Sequence, residues 1–264
     1  MKKVFNFSYI ALVLAFIYVP ILILVIFSFN SGTTIGVWHG FSFKWYGELG
    51  SIGDVVLFTV ILALVSSLIS TLLGTLGAVG IYYSRRRRYG KIINGISQIP
   101  VVNSEIVTAS ALVMAFMLLG LSHRSLFALF VGHVILSAPF VVLSVMPKLK
   151  QMDNNLYEAA LDLGASPFKA FMKVIVPEIL PGILSGFMLA ITLSLDDYIV
   201  TATLSPLEYD TISTAVYKAI AHTTEMSGER VAVFRALTTI IFLLTLTVVF
   251  VNNLRPSKKN KEKK

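Results

Sequence analysis

The sequence predicts an all-α integral membrane protein with six transmembrane helices and both termini in the cytoplasm. Three observations carry that prediction. Of the 264 residues, 56% are hydrophobic and only 14% charged, whereas soluble domains run about 45–50% apolar and about 25% charged. Six segments, at about 8–29, 55–83, 92–121, 125–147, 178–204 and 236–254, hold the roughly 20 mostly apolar residues that a helix needs to cross a bilayer. The basic residues are also sorted. With both termini inside, 17 of the 22 Lys and Arg fall on the inner side, leaving Lys44, Arg124, Lys218, Arg230 and Arg235 outside, as the positive-inside rule requires.

The net charge of +8 therefore records topology and not a nucleic-acid partner; a basic tail against anionic lipid adds to it. The chain has no cysteine, which excludes disulfides, iron–sulfur clusters and thiolate zinc sites. It is expected to form one transmembrane domain over residues 1–264, with no repeat and no low-complexity stretch apart from the Lys-rich tail after Pro256.

The first span follows Lys2 and Lys3, but its apolar run exceeds the 7–15 residues of a signal-peptide core and no A-x-A site follows, so it reads as a retained helix. The outer segment 31–55 is rich in Gly and aromatics, including Trp38, Trp45 and Tyr46, the residues of an interfacial belt. In the second span Ser66, Ser70, Gly74 and Ala78 recur every four residues, and Gly77 and Gly80 thin the neighbouring face. Such a small-residue stripe lets helix backbones approach closely, either in a fixed packing or in one that slides. The third span carries Glu105 and the fourth His133, a residue that in a bundle hydrogen-bonds a neighbouring helix or relays a proton. The fifth carries Asp196 and Asp197. A second outer segment, 205–230, holds Glu208, Asp210, Glu225 and Glu229, and either outer segment could receive a soluble partner.

Between the fourth and fifth spans lies the inner loop 151–177, too long for a tight helix connection and patterned as two short amphipathic helices. In the first, Leu156, Ala159, Ala160 and Leu163 share a face, Asp153 or Asn154 caps the start, and Gly164 stands at the C′ position. The second opens on Ser166 and Pro167, an N-cap with proline at N1, and spaces Phe168, Phe171, Met172 and Ile175 on one side. An element too short to span and too apolar for water alone lies on lipid or docks into a groove of the bundle or of another subunit.

Glu158-Ala159-Ala160-x3-Gly164 followed by Val174-x-Val176-Pro177 resembles the E-A-A-x3-G-x9-I-x-L-P motif of permease subunits in binding-protein-dependent ABC importers, with two conservative departures. The resemblance runs along nearly the whole chain. Tyr18-Val19-Pro20-Ile21, Ser28-Phe29-Asn30-Ser31, Gly40-Phe41, Lys44-Trp45-Tyr46 and Ser194-Leu195-Asp196-Asp197 are similar to the spermidine/putrescine permeases of the C type. It implies a type I ABC importer permease bundle in the cell membrane of a prokaryote. The loop would insert a coupling helix into a separate ATP-binding subunit through Glu158, Ala159, Ala160, Gly164, Ala165, Ser166 and Pro167. Partners would be a dimer of ATP-binding subunits, a second homologous permease and an extracytoplasmic substrate-binding protein, besides the bilayer. The chain lacks G-x-x-x-x-G-K-[ST], so it does not bind ATP by that route. No cofactor is expected in this chain, ATP and magnesium belong to the partner, and the chain is not itself an enzyme.

Glu105, Asp196 and Asp197 are the acids well inside the expected spans. A charge there costs about 2.5–3.5 kcal/mol on insertion scales, so it faces a cavity or a partner. Separated carboxylates, with Tyr198 adding a cation–π face, suit a flexible polycation, and the expected substrate path is Glu105, Asp196, Asp197 and Tyr198. Asp196 and Asp197 lie about 100° apart on a helix, so both are not expected to face it. The other reading has one acid capping a broken helix or pairing with Arg235 or Arg124. Three alternatives to polyamine import remain open at this level. They are import of another small cationic or organic solute, an ion-coupled secondary transporter, and an intramembrane aspartyl protease built on two acids.

Overall fold

In the computed structural model, residues 2–34, 36–84, 103–221 and 225–254, with Gly95, are described. The helices are α1 (Lys2–Ser28), α2 (Lys44–Gly47) running through a 3-10 turn at Glu48–Ile52 into α3 (Gly53–Ser84), α4 (Glu105–Leu118) and α5 (Leu126–Gln151). Then come α6 (Asn154–Asp162) and α7 (Pro167–Ala170), the latter joined by a π-turn at Phe171–Ile175 to α8 (Val176–Asp196), followed by α9 (Ile199–Leu204), α10 (Ile212–Ala221) and α11 (Glu225–Leu254). Asn30 and Phe41 form an isolated β-bridge.

Among the described residues five helical runs are long and apolar enough to cross a membrane: Ser8–Ser28, Lys44–Tyr83, Leu126–Gln151, Pro167–Asp196 and Gly228–Thr247. Among its described residues the expected third span is helical at Gly95 and over the 14 residues of α4, and its residues 92–94 and 96–102 lie outside the described ones. The basic residues Arg85 to Arg88 and Lys91 and the tail 255–264 lie outside them too. Two other expected boundaries change. The fifth span starts earlier and breaks at Asp197–Tyr198, and the sixth is preceded by helix from Glu225.

Backbone contacts divide the chain into two units, residues 1–54 with 216–264, and residues 55–215. In the second unit the small-residue stripe does what its spacing predicts for packing. Ser66, Ser70, Gly74 and Ala78 are all buried, and a Cβ on Gly74 would stand 2.7 Å from Val141 Cβ and 2.9 Å from the Ala138 carbonyl of α5. On α8 a second stripe, Gly182 and Gly186, lies against Val141, Ser144 and Val145, and the Ser144 hydroxyl donates to the Gly182 carbonyl at 3.0 Å. Lipid supplies no hydrophobic force between helices, so close dispersion contact and such hydrogen bonds hold them together. The opposite face of α8, including Leu184, Met188, Thr192 and Asp196, is exposed.

In the other unit α1 packs on α11. Asn30 organises the connection to α2: its amide donates to the Val37 carbonyl at 2.7 Å and accepts from the His39 N–H at 2.8 Å. Trp45, expected at an interfacial surface, is instead buried, donating through Nε1 to the Asn30 carbonyl at 2.8 Å with Lys44 Nζ 4.4 Å from its ring centre. Phe41 and Phe43 pack around Phe29 and keep their outer surfaces exposed, as does Trp38.

Candidate functional site

The 151–177 loop is built by local caps. The Asp153 carboxylate accepts from the Asn155 N–H at 2.9 Å. At the far end of α6 the Gly164 N–H donates to the Leu161 carbonyl at 2.9 Å and the Ala165 N–H to the Ala160 carbonyl at 3.0 Å, the paired bonds of a Schellman turn. That turn requires a left-handed residue, and Gly164 adopts φ of 83°. The Ser166 hydroxyl accepts from the Lys169 N–H at 3.4 Å with Pro167 at the first position of α7. These roles follow from the sequence.

The predicted second face does not hold together. Ile175 and Ala170 are buried, and Ile175 joins the core of Leu149, Met152 and Ile179 with Tyr157 and Phe171 packed against it. Phe168, however, is 74% exposed, and Met172 is exposed as well. The π-turn at Phe171–Ile175 holds an extra residue per turn and turns the two ends of the stripe apart. The loop is thus anchored from below and presents a tip of Leu163, 88% exposed, with Phe168. Around that tip Glu158, Ala159, Gly164, Ser166 and Pro167 are exposed, and Ala160 and Ala165 half-buried.

The second feature is the break between α8 and α9. Asp196, the last residue of α8, is exposed; Asp197 is buried and Tyr198 half-buried. The Asp197 backbone leaves the helix at ψ of 126°, and its carboxylate turns onto the first turn of α9. It accepts from the Val200 N–H at 3.2 Å, the Thr201 N–H at 2.8 Å and the Thr201 hydroxyl at 2.8 Å. Since that hydroxyl proton points to Asp197, the Thr201 oxygen accepts from His133 Nε2 at 3.0 Å. His133 Nδ1 meets Ser194 Oγ at 2.8 Å, and Ser194 Oγ meets Ser66 Oγ of α3 at 3.2 Å. Every side chain of this network is buried.

Of the two readings left open for the adjacent acids, Asp197 therefore follows the capping one, with His133 beside it at 3.6 Å. Arg235 donates to the Gly32 carbonyl at 3.4 Å. Glu105 is exposed in the first turn of α4. Packing sets α4 beside the break: Ala109 of α4 shares a core with Val200 and Leu204 of α9. Sequence reasoning missed Ser66 and Thr201 as members of the network. The one local signal was an aspartate just before a short apolar run, the pattern of a helix cap.

At this break the charges are divided. Asp197 neutralises the amide end of α9, while the carbonyl end of α8, equivalent to about half a negative charge, opens beside Asp196. The Leu195 carbonyl there accepts from the Ser213 hydroxyl at 3.2 Å. An exposed carboxylate at a helix C-terminus with a second carboxylate nearby attracts cations.

Comparison with known proteins gives the following. Residues 70–259 match the family model described as binding-protein-dependent transport system inner membrane component. The chain is 34% identical over 258 residues, 96% of this chain and 94% of the relative, to the spermidine/putrescine transport system permease protein PotC of Escherichia coli strain K12. It is 32% identical over 215 residues, 78% of this chain and 76% of the relative, to the putrescine transport system permease protein PotI of the same strain. Its fold resembles that of a bacterial ABC transporter involved in import of the acidic polysaccharide alginate. There the TM-score is 0.67 at 15% identity, over 97% of this chain and 96% of the other.

Proposed function

Given that this chain belongs to the family of binding-protein-dependent transport system inner membrane components, we propose that it is the permease subunit of an ATP-driven polyamine importer. The two polyamine permeases compared above carry that cargo in their names. The observation in the molecule that carries the reading is the break at Asp196–Asp197. It leaves Asp196 exposed at the carbonyl end of α8, while α4, which starts at Glu105, packs on α9 just past the break.

A polyamine is a flexible chain of methylene segments between ammonium groups. A path for it needs carboxylates spaced along the way, strong enough to replace lost hydration and sparse enough to release the cargo. Glu105 and Asp196 supply two such points from different helices. The exposed aliphatic face of α8 at Leu184 and Met188 suits the methylene segments, and Tyr198 offers a ring at the break. Asp197 serves the path from behind, by holding the break.

The chain acts as one permease domain of six spans in the cell membrane of a prokaryote, with both termini in the cytoplasm. A substrate-binding protein delivers cargo from outside, and a second permease forms the other half of the path. The tip at Leu163 and Phe168 enters a cleft on one ATP-binding subunit of the dimer, and ATP and magnesium are bound by that dimer. Closure of the nucleotide dimer then moves a lever fixed to the bundle through Ile175 and Ala170, and biases two packings of the helices that differ by a few kcal/mol.

The test is uptake of radiolabelled putrescine and spermidine into proteoliposomes holding the assembled transporter. Uptake is expected to require ATP and the binding protein, to survive collapse of ion gradients, and to weaken with Asp196→Asn and Glu105→Gln. Gradient-driven uptake, or transport indifferent to both substitutions, would overturn the proposal.

A further inference from the structure

We propose that His133, acting with Ser194 and Thr201, is a positioning residue that fixes the direction of Asp196 in the cation path. The inference rests on the reading of Asp196 as a path residue.

His133 is the point where α5 meets two sides of one break. Nδ1 holds Ser194, two residues before Asp196, at 2.8 Å. Nε2 holds Thr201 at 3.0 Å, and Thr201 holds Asp197, the residue after Asp196, through both its hydroxyl and its N–H at 2.8 Å. Asp196 is thus clamped on both flanks while making no part of the clamp itself. Ser66 ties the same node to α3 at 3.2 Å and is anchored in turn by donating to the Leu62 carbonyl at 2.6 Å. All the groups that make the node are buried and satisfied by one another, and polar groups left unsatisfied in such a place are costly. The network as arranged therefore resists the displacement of any one member.

That arrangement keeps α8 and α9 from joining. Without the Asp197 cap the chain from Asp196 to Thr201 can continue helical, which would close the last carbonyls of α8 into helix bonds and remove its negative end from beside Asp196. Releasing either arm from His133 frees the break on that side. His133 itself is fully buried, so its effect on cargo passes through Asp196.

The assay is a double-substitution cycle in proteoliposomes of the complete transporter with its binding protein, reading polyamine uptake per ATP hydrolysed and the ratio of spermidine to putrescine uptake. Asp196→Asn alone is expected to lower uptake per ATP about ten-fold, the equivalent of one lost charged interaction. His133→Leu and Thr201→Val are each expected to lower the same ratio about three- to ten-fold and to shift the cargo ratio. In the Asp196→Asn background neither is expected to add a further loss. His133→Gln, which can still present an N–H to Thr201, is expected to restore the ratio to within about two-fold of the parent. If His133→Leu does not accumulate in the membrane, Ser194→Ala and Thr201→Val, each removing one arm, replace it in the cycle. Losses that add to those of Asp196→Asn, or that lower uptake and ATP hydrolysis in equal proportion, would overturn the positioning role. Unchanged uptake per ATP in Asp196→Asn alone would instead overturn the path reading beneath it.

Discussion

Asp197 and His133 face each other 3.6 Å apart with both side chains fully buried, and the Thr201 hydroxyl bonds to both. The carboxylate also receives two backbone N–H groups of α9. A buried charge whose partner groups are this complete is stabilising only as a set, and removing one member leaves the others unsatisfied. Asp197→Asn keeps the shape but turns an N–H₂ toward groups that are themselves donors. It is expected to destabilise the protein by about 2–3 kcal/mol, and Asp197→Leu by more. Thermal unfolding of the detergent-solubilised complex checks this; a melting temperature unchanged in Asp197→Leu would remove the capping role.

Gly164 is the residue whose substitution separates coupling from folding. Its φ of 83° has no Cβ to pay the left-handed penalty, and nothing lies within 4 Å of an added Cβ. Gly164→Val is therefore strained by about 1–2 kcal/mol with no clash, and the Schellman turn loosens while the helices above it remain packed. The expected result is several-fold less ATPase subunit recovered with the permease at unchanged permease abundance. Gly164→Asn, which tolerates the left-handed region better, is expected to fall between. Equal recovery for all three chains would show that the turn does not shape the coupling tip.

How much of this was legible in the sequence follows the range of each interaction. Asp153, Gly164, Ser166 and Pro167 hold the roles their neighbours dictate, because caps and Schellman turns close within a few residues. The small-residue stripe of α3 was legible for the same reason, since a four-residue spacing fixes a helix face. The network at His133 was not, because it joins residues 61, 68 and 128 positions apart and depends on how four helices are rotated. The inward turn of Asp197 depends on a break that hydropathy cannot register, since apolar residues continue on both sides of it. Phe168 and Ile175 parted for a local reason that periodicity at 3.6 residues per turn overlooks, the π-turn between them. Trp45 was misplaced because composition alone cannot tell a belt tryptophan from one donating to a buried carbonyl.

The exposed tip gives the sharpest test of partner recognition. Leu163 and Phe168 bury little against their own chain, so Leu163→Glu and Phe168→Glu change no core contact and are expected to leave thermal stability within about 0.5 kcal/mol of the parent. Each is expected to abolish co-purification of the ATP-binding subunit, since a charge placed into an apolar cleft leaves a desolvated group unpaired. Co-purification that survives both substitutions would transfer the docking role to another surface.

Two glycines on the bundle helices should respond oppositely to the same added methyl. At Gly182 a Cβ would lie 2.9 Å from Lys148 Cγ, 3.0 Å from the Ser144 carbonyl and 3.2 Å from Val145 Cα. The lysine can yield, but the backbone of α5 cannot without losing the bond from Ser144 to the Gly182 carbonyl. Gly182→Ala is therefore expected to cost about 1–3 kcal/mol. At Gly80, also in a helix interior, nothing lies within 4 Å, so Gly80→Ala adds helix propensity without a clash and is expected to stabilise by about 0.5–1 kcal/mol. Thermal melts of the two variants side by side decide it. If Gly182→Ala matched Gly80→Ala, α5 and α8 would not be in backbone contact at that level, and the close packing on which the fixed position of the α8 break depends would be lost with it.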